Sequence, residues 1–225
     1  SDYLFTPSAD ADTNLLREGL PADKIHFVGN VMIDTLRRYA PIARVRGTAR
    51  TLDLAPHGYA VLTLHRPSNV DEPITFGRML DGLEEIQGRY PVVFPIHPRT
   101  RARLDEFGLG PRLHRLHNLQ LCAPLGYLAF LSLLMDSRFV MTDSGGIQEE
   151  TTALGIPCLT LRENTERPIT VRVGTNQVIG TRPDRIAAEG LRLVDGATRR
   201  GSVPPLWDGQ TAVRIVDVLC LQKVH

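Results

Sequence analysis

A succession of short apolar runs, each followed by a stretch with helical spacing, constrains this chain more than any other feature. The runs are "YAVLTLH" (59–65), "VVFPIH" (92–97), "LQLCAP" (119–124), "FVMTD" (139–143), "PCLTL" (157–161) and "NQVIG" (176–180). Between them lie helical stretches near 73–88, 98–107, 125–135, 145–154 and 183–194. The runs are rich in continuous Val, Leu, Ile and Phe rather than alternating, as strands are when both faces of a parallel sheet are covered. Strand–helix–strand units of this kind cross over right-handed almost without exception. The pattern predicts an α/β domain with a doubly wound parallel sheet over residues 59–205.

Upstream, "YLFTPS" (3–8) and "IHFVGN" (25–30) read as strands around a helix at 9–20. Residues 1–36 are too few to fold alone and are expected to be the last β-α-β of a second such domain. A helix starting at Val31 is expected to reach Pro41, and the Pro-, Gly- and Arg-rich residues 37–58 to serve as a linker. Residues 206–225 carry a final helical stretch (209–221) with no strand after it, expected to pack back toward the first domain. The chain opens at Ser1, close to a strand and without a methionine, so the expectation is that the natural N-terminus is missing.

The 225 residues are 42% apolar, enough for a substantial core, and carry a formal net charge of +1. That balance gives no electrostatic case for nucleic acid or an anionic membrane as the main partner. Arg99, Arg101 and Arg103 read as a solvated helix face. Cys122, Cys158 and Cys220 lie far apart in apolar surroundings, with no metal or redox spacing; buried free thiols in a reducing, cytoplasmic setting are expected. The longest apolar stretch, Leu125 to Met135, is too short to span a bilayer.

Ligands of open parallel sheets bind beyond the carboxyl ends of the strands. Those ends carry His65-Arg66, His97-Pro98-Arg99, Ala123-Pro124-Leu125 and Asp143-Ser144-Gly145-Gly146. A helix beginning near Gly145 would expose unpartnered N–H groups and the positive end of its dipole. The glycines would let an anion approach, and Ser144 could cap the helix or donate to that anion. The same residues also fit a helix capped by Asp143 or Ser144, with Glu149 and Glu150 favouring its first turn and no ligand involved. Neither G-x-x-x-x-G-K-[ST] nor G-x-G-x-x-G occurs, which argues against ordinary ATP or NAD binding. Glu150 could accept from sugar hydroxyls. His65 and His97 are either structural residues at strand ends or groups for anion recognition and proton transfer. Phe130 is either core or a stacking surface for a planar base.

Taken together, "TLHRPSNVD" (63–71), "PIHPRT" (95–100), "PLGYLAFLSLL" (124–134), "TDSGGIQEETTALGIPCLTLRENTERP" (142–168) and "VGTNQVIGT" (173–181) resemble the non-hydrolysing UDP-N-acetylglucosamine 2-epimerases. "LREGLPADKIHFVGNVMIDTL" (16–36) is similar to the end of that family's first domain. The resemblance implies the C-terminal half of a GT-B fold, in which two Rossmann-like domains face each other across a cleft. It implies interconversion of UDP-GlcNAc and UDP-ManNAc by elimination of UDP to 2-acetamidoglucal and its re-addition to the other face. Ser144, Gly145 and Gly146 would hold the diphosphate, Glu150 the ribose hydroxyls, Phe130 would pack on uracil, and Arg167 would be a further diphosphate contact. His65 matches the active-site histidine near the leaving group, with Arg66 beside it; His97 and Arg99 match a less defined position serving regulation or sugar binding. Neither a metal nor a redox cofactor is implied, and the whole enzyme is expected to be a homodimer that supplies cell-surface polysaccharide synthesis. The carboxylates that move the C2 proton belong to the first domain, so this chain is expected to bind UDP and not to epimerise alone. A GT-B glycosyltransferase, a hydrolysing epimerase and a non-catalytic UDP-sugar-binding module remain as alternatives.

Overall fold

The computed structural model describes residues 1–198 and 200–221. It opens with a small unit in which β1 (Leu4–Thr6), α1 (Ala9–Arg17) and β2 (Ile25–Phe27) form a β-α-β turn; β1 and β2 pair in parallel, Leu4 opposite Ile25. Helix α2 (Val31–Arg44) follows, capped by Asn30, whose side chain accepts from the Met32 N–H at 3.0 Å. It does not stop at Pro41 but runs one turn further. Proline removes one donor and crowds the preceding turn, yet Leu36 and Ala43 on either side of it are buried beside Leu131 and Trp207, and that burial holds the helix together.

The main body then runs α3 (Thr48–Thr51), β3 (Ala60–Thr63), α4 (Pro67–Val70), α5 (Pro73–Gln87), β4 (Val92–Pro95), α6 (Pro98–Glu106), α7 (Gly110–Leu113), β5 (Leu119–Cys122), α8 (Tyr127–Met135), β6 (Phe139–Thr142), α9 (Gly145–Leu154), β7 (Cys158–Thr160), α10 (Pro168–Arg172), β8 (Asn176–Val178) and α11 (Pro183–Val194). The six strands β3 to β8 form one sheet in the order β5-β4-β3-β6-β7-β8, every pair parallel. The short helices α3, α4, α7 and α10 have no counterpart in the sequence reading, because four or five residues show no periodicity.

Both faces of the sheet are buried. Ala60, Leu62, Val92, Phe94, Phe139, Met141 and Leu159 face one core with Phe76, Leu80 and Ile86 of α5 and Ile186 of α11. Val61, Val93 and Val140 face the other with Leu133, Leu134 and Ile156. Each buried Val, Leu, Phe or Met among them stabilises the fold by about 1.5–3 kcal/mol, which explains why successive strand residues are apolar on both faces rather than alternating. On the first face α5 and α11 approach so closely that a Cβ on Gly82 would lie 2.7 Å from Ile186 Cβ, and one on Gly190 2.3 Å from Ile86 Cδ1. At Gly82 only glycine fits, because the Pro183 carbonyl oxygen also lies 2.7 Å away; at Gly190 the tip of Ile86 would have to move.

The chain end returns to the first unit. The buried Trp207 donates from Nε1 to the Pro7 carbonyl at 2.9 Å. Asp34 of α2 accepts from the Thr211 and Ala212 N–H groups at 3.1 and 2.7 Å, capping α12 (Thr211–Leu221) from another part of the chain. The outer face of α12 is uncovered: Val213, Val216, Leu219 and Leu221 are exposed, and so is Cys220, which the sequence reading expected to be buried. Cys158 is buried, which pushes its thiol up to about 12, and Cys122 is half-buried. Residues 222–225 of the expected terminal segment lie outside the described residues. Among the described residues no helix is long and apolar enough to cross a membrane.

Candidate functional site

Strand order reverses between β3 and β6: connections lead outward through β4 and β5 on one side and through β7 and β8 on the other. The loops after β3 and β6 therefore diverge and leave a crevice at the carboxyl edge, where nucleotides bind in sheets of this topology. His65-Arg66 and Asp143 to Gly146 lie on its two sides.

The two sides are tied by Asp143, which is fully buried. Its Oδ2 accepts from the N–H groups of His65 and Arg66 at 3.0 and 2.9 Å and from Asn69 Nδ2 at 3.2 Å. Its Oδ1 lies 2.9 Å from His65 Nδ1. That bond holds the imidazole above the usual histidine range, against burial and Arg66, which both lower it. Asn69 also donates to the Leu161 carbonyl at 2.9 Å, fastening the end of β7 to the same knot. The sequence offered Asp143 or Ser144 as a possible cap for α9; Asp143 turns the other way and organises the β3 loop. Neither this role nor Asn69 was found from sequence.

Ser144 does not cap α9 with its side chain either. Its own N–H donates to Thr142 Oγ1 at 3.0 Å. Among the described residues no acceptor reaches the N–H groups of Gly145, Gly146 or Ile147, and the first helical bond is Gln148 N–H to the Ser144 carbonyl at 3.3 Å. A Cβ at Gly145 would meet nothing closer than Arg167 Cγ at 3.8 Å, and one at Gly146 nothing closer than Ser144 Oγ at 4.0 Å. Neither residue has positive φ. The fold itself does not demand glycine at these two positions, unlike Gly82.

Around this helix start stand the other expected residues. His65, His97, Phe130 and Ile147 line one cleft of about 230 Å³ with Pro95, Pro124 and Leu125. The rings of His65 and His97 lie 6.1 Å apart. Phe130 packs against the second core and also lines this cleft. Arg167 flanks Gly145 and holds Glu149, its Nε 2.7 Å from Oε1. Burial raises the Glu149 carboxyl, offset by Arg167 and by Asn30 from the first unit. Burial likewise raises Glu150, which the Tyr127 hydroxyl partly offsets. Both acids lie beyond the first turn of α9, not within it. Arg66 lies 3.6 Å from Glu166, whose carboxyl Arg162 holds down to about 2. Arg99 does not line the cleft; it is paired with Asp71, which also takes Arg103 Nε at 3.1 Å. The arrangement can receive a multiply charged anion: uncapped amides on a helix dipole open beside a raised histidine, with Arg167 flanking Gly145 and Arg66 next to His65.

The family model described as UDP-N-acetylglucosamine 2-epimerase matches residues 1–220. The UDP-N-acetylglucosamine 2-epimerase of Methanocaldococcus jannaschii is 38% identical over 99% of this chain and 62% of its own length. The UDP-2,3-diacetamido-2,3-dideoxy-D-glucuronate 2-epimerase of Pseudomonas aeruginosa is 37% identical over 97% of this chain and 60% of its own. A crystal structure of the M. jannaschii enzyme, in complex with UDP-GlcNAc and UDP, superposes with a TM-score of 0.89 over 98% of this chain and 61% of that one. The chain thus spans about three fifths of the length of the relatives it matches. The six-stranded Rossmann-like sheet, the open crevice at its strand reversal and a match across nearly every residue agree: this chain belongs to the UDP-N-acetylglucosamine 2-epimerase family.

Proposed function

We propose that this chain is the nucleotide-binding part of a 2-epimerase acting on a UDP-linked 2-acetamido sugar, UDP-GlcNAc to UDP-ManNAc, by elimination and re-addition of UDP. One observation carries the reading: the uncapped start of α9, where two glycines that the fold does not need leave amides open beside His65 and Arg167. In this reading the Ser144, Gly145 and Gly146 region holds the diphosphate, with Arg66 and Arg167 adding charge. Phe130 gives uracil an apolar wall. Glu150 takes the ribose hydroxyls and exchanges its bond with Tyr127 for them. His97 shares the cleft with His65, and Arg99 lies one step outside, bracing the β3 loop through Asp71.

The chemistry follows from charge. Breaking the C1–O bond leaves an electron pair on the diphosphate, and preorganised amides and cations stabilise it as it forms. Removing the C2 proton and returning it to the other face needs an acid and a base on the sugar; these we assign to a first domain, of which residues 1–36 are the last part. The C-terminal helix, returning to that part through Asp34, then couples the two domains. Conversion in the whole protein, its pairing as a homodimer and its cytoplasmic location belong to the same proposal.

Calorimetric titration tests it. UDP is expected to bind this chain, and UDP-GlcNAc incubated with it to return no UDP-ManNAc. In a version carrying the first domain, deuterium from heavy water enters sugar C2. No UDP binding would overturn the nucleotide reading, epimerisation by the chain alone would overturn the division of labour, and transfer to an acceptor with an inert C2 would favour a glycosyltransferase. Offering UDP-GlcNAc beside the diacetamido-glucuronate named for the Pseudomonas relative identifies the sugar.

A further inference from the structure

The knot at Asp143 holds more than backbone. Of its two oxygens, Oδ2 receives three donors, whereas Oδ1 lies 2.9 Å from His65 Nδ1 and has no well-aligned donor among the described residues. The carboxylate is fully buried, and a buried oxygen left without a donor is costly. The state in which His65 carries its proton on Nδ1 is therefore selected, as in carboxylate–histidine pairs that fix a ring's tautomer and orientation. His65 is half-buried and lines the cleft into which Ile147, at the start of α9, also faces. With Nδ1 committed to Asp143, the opposite nitrogen is the one left for a ligand.

We propose that Asp143 is a positioning residue: it holds His65 with Nδ1–H on its own Oδ1, so that the protonated ring offers Nε2–H to the terminal phosphate of a nucleoside diphosphate seated on α9. The role rests on the nucleotide reading above, and it explains why a carboxylate is retained without solvent access at the strand reversal. A neutral residue that only closed the β3 loop would need the two backbone donors and Asn69, and Oδ2 alone meets those. The groups facing the His65 ring are Asp143 from the β6–α9 turn, Arg66 on its own loop, His97 from the β4–α6 turn, and the Glu166 and Arg162 pair behind Arg66. Asp143 makes the largest contribution and favours the charged ring; Arg66 opposes it. As pH rises through the His65 titration, Nε2 loses its proton and the bond to phosphate goes with it.

The test uses the whole chain with ¹⁵N-labelled histidine, its magnetic resonance read across pH, and UDP affinity measured in parallel. In the unsubstituted protein Nδ1 of His65 is expected to stay protonated above its titration, and UDP to bind progressively more weakly as pH passes it. In Asp143→Asn the carbonyl oxygen can still serve the backbone donors, but its NH2 faces Nδ1. The titration is then expected to move down, and UDP affinity at mildly alkaline pH to fall about tenfold, the factor that one unit of pKa carries. His65→Gln should lose this pH dependence, and adding Asp143→Asn to it should cost little more, whereas a merely structural Asp143 would weaken binding equally in both backgrounds. A neutral His65 protonated on Nε2, or a titration unmoved by Asp143→Asn, would overturn the proposal. Should Asp143→Asn fail to fold, the tautomer of the unsubstituted protein decides alone. Absence of UDP binding at every pH, with Nδ1 protonated as expected, would instead overturn the nucleotide reading while leaving the pair intact.

Discussion

Helices α6 and α9 start at comparable places, just past the carboxyl ends of β4 and β6, and they treat their first turns oppositely. At α6 the side chain of His97 accepts from the Arg99 N–H at 3.2 Å, Pro98 supplies no donor, and Thr100 Oγ1 ties the turn to the Leu64 carbonyl at 2.5 Å. At α9 the flanking Ser144 gives no cap, and two glycines follow. The first helix closes its own N-terminus; the second leaves its donors open at the crevice. Similar backbone geometry therefore yields a closed N-terminus in one case and an open one, proposed above to hold the diphosphate, in the other, and the side chain at the cap decides which. The two histidines divide along the same line: His97 uses Nδ1 for its own helix, while His65 has Nδ1 2.9 Å from Asp143 Oδ1, and its Nε2 is proposed to meet the ligand.

Substitutions at each start should break this contrast in different currencies. Gly146→Ala has room for its methyl group, so the protein should hold or gain up to about 0.5–1 kcal/mol of stability as alanine replaces glycine in a helix. The same methyl group stands over the open amides, and UDP affinity should fall tenfold or more, at least about 1.4 kcal/mol. Thermal melts and titrations on one sample read both signs; a variant that lost stability and binding together would show the glycine to be structural. At α6 the effect should be smaller and of the other kind. His97→Ala removes a cap and costs about 1 kcal/mol of stability, His97→Asn restores most of it, and neither should weaken UDP in proportion.

The smallest effect probes α9 one turn deeper. Burial raises the Glu150 carboxyl in the folded chain. An acid whose folded value lies above its unfolded one favours folding at low pH, and the protein loses stability as pH rises from the unfolded value through the folded one. Glu150→Gln removes that loss and can still accept from Tyr127. It should therefore raise stability above pH 7 by less than about 1 kcal/mol, read as a slightly higher melting temperature, and leave it unchanged at pH 4. UDP affinity should fall as the ribose loses a charged acceptor. An equal stability gain at both pH values would sink this account of Glu150.

Sequence carried the framework well where apolar runs were long enough to show their period. The bounds of α9 and α11 match the stretches read at 145–154 and 183–194, and each expected strand of the main sheet is present in shortened form. It misjudged Pro41, because local propensity could not foresee Leu36 and Ala43 packing beside Trp207. It misjudged Cys220, because an apolar helix does not say whether anything covers it. At the site, topology alone directed attention to the strand ends, and glycines there were visible as residues. The bonds that organise them were not. Asp143 meets His65 and Arg66 across 78 and 77 residues, and Asn69 across 74; no local pattern encodes such pairings. Nor did sequence show that Arg99 turns away to Asp71 while Arg167 both flanks Gly145 and holds Glu149.

Backbone amide spectra recorded as UDP is added compare the two helix starts directly. The N–H signals of Gly145, Gly146 and Ile147 should shift furthest and saturate together, with those of Arg99 to Arg101 nearly still. Saturable shifts centred on α6, or shifts that leave the α9 amides in place, would contradict a diphosphate site at α9.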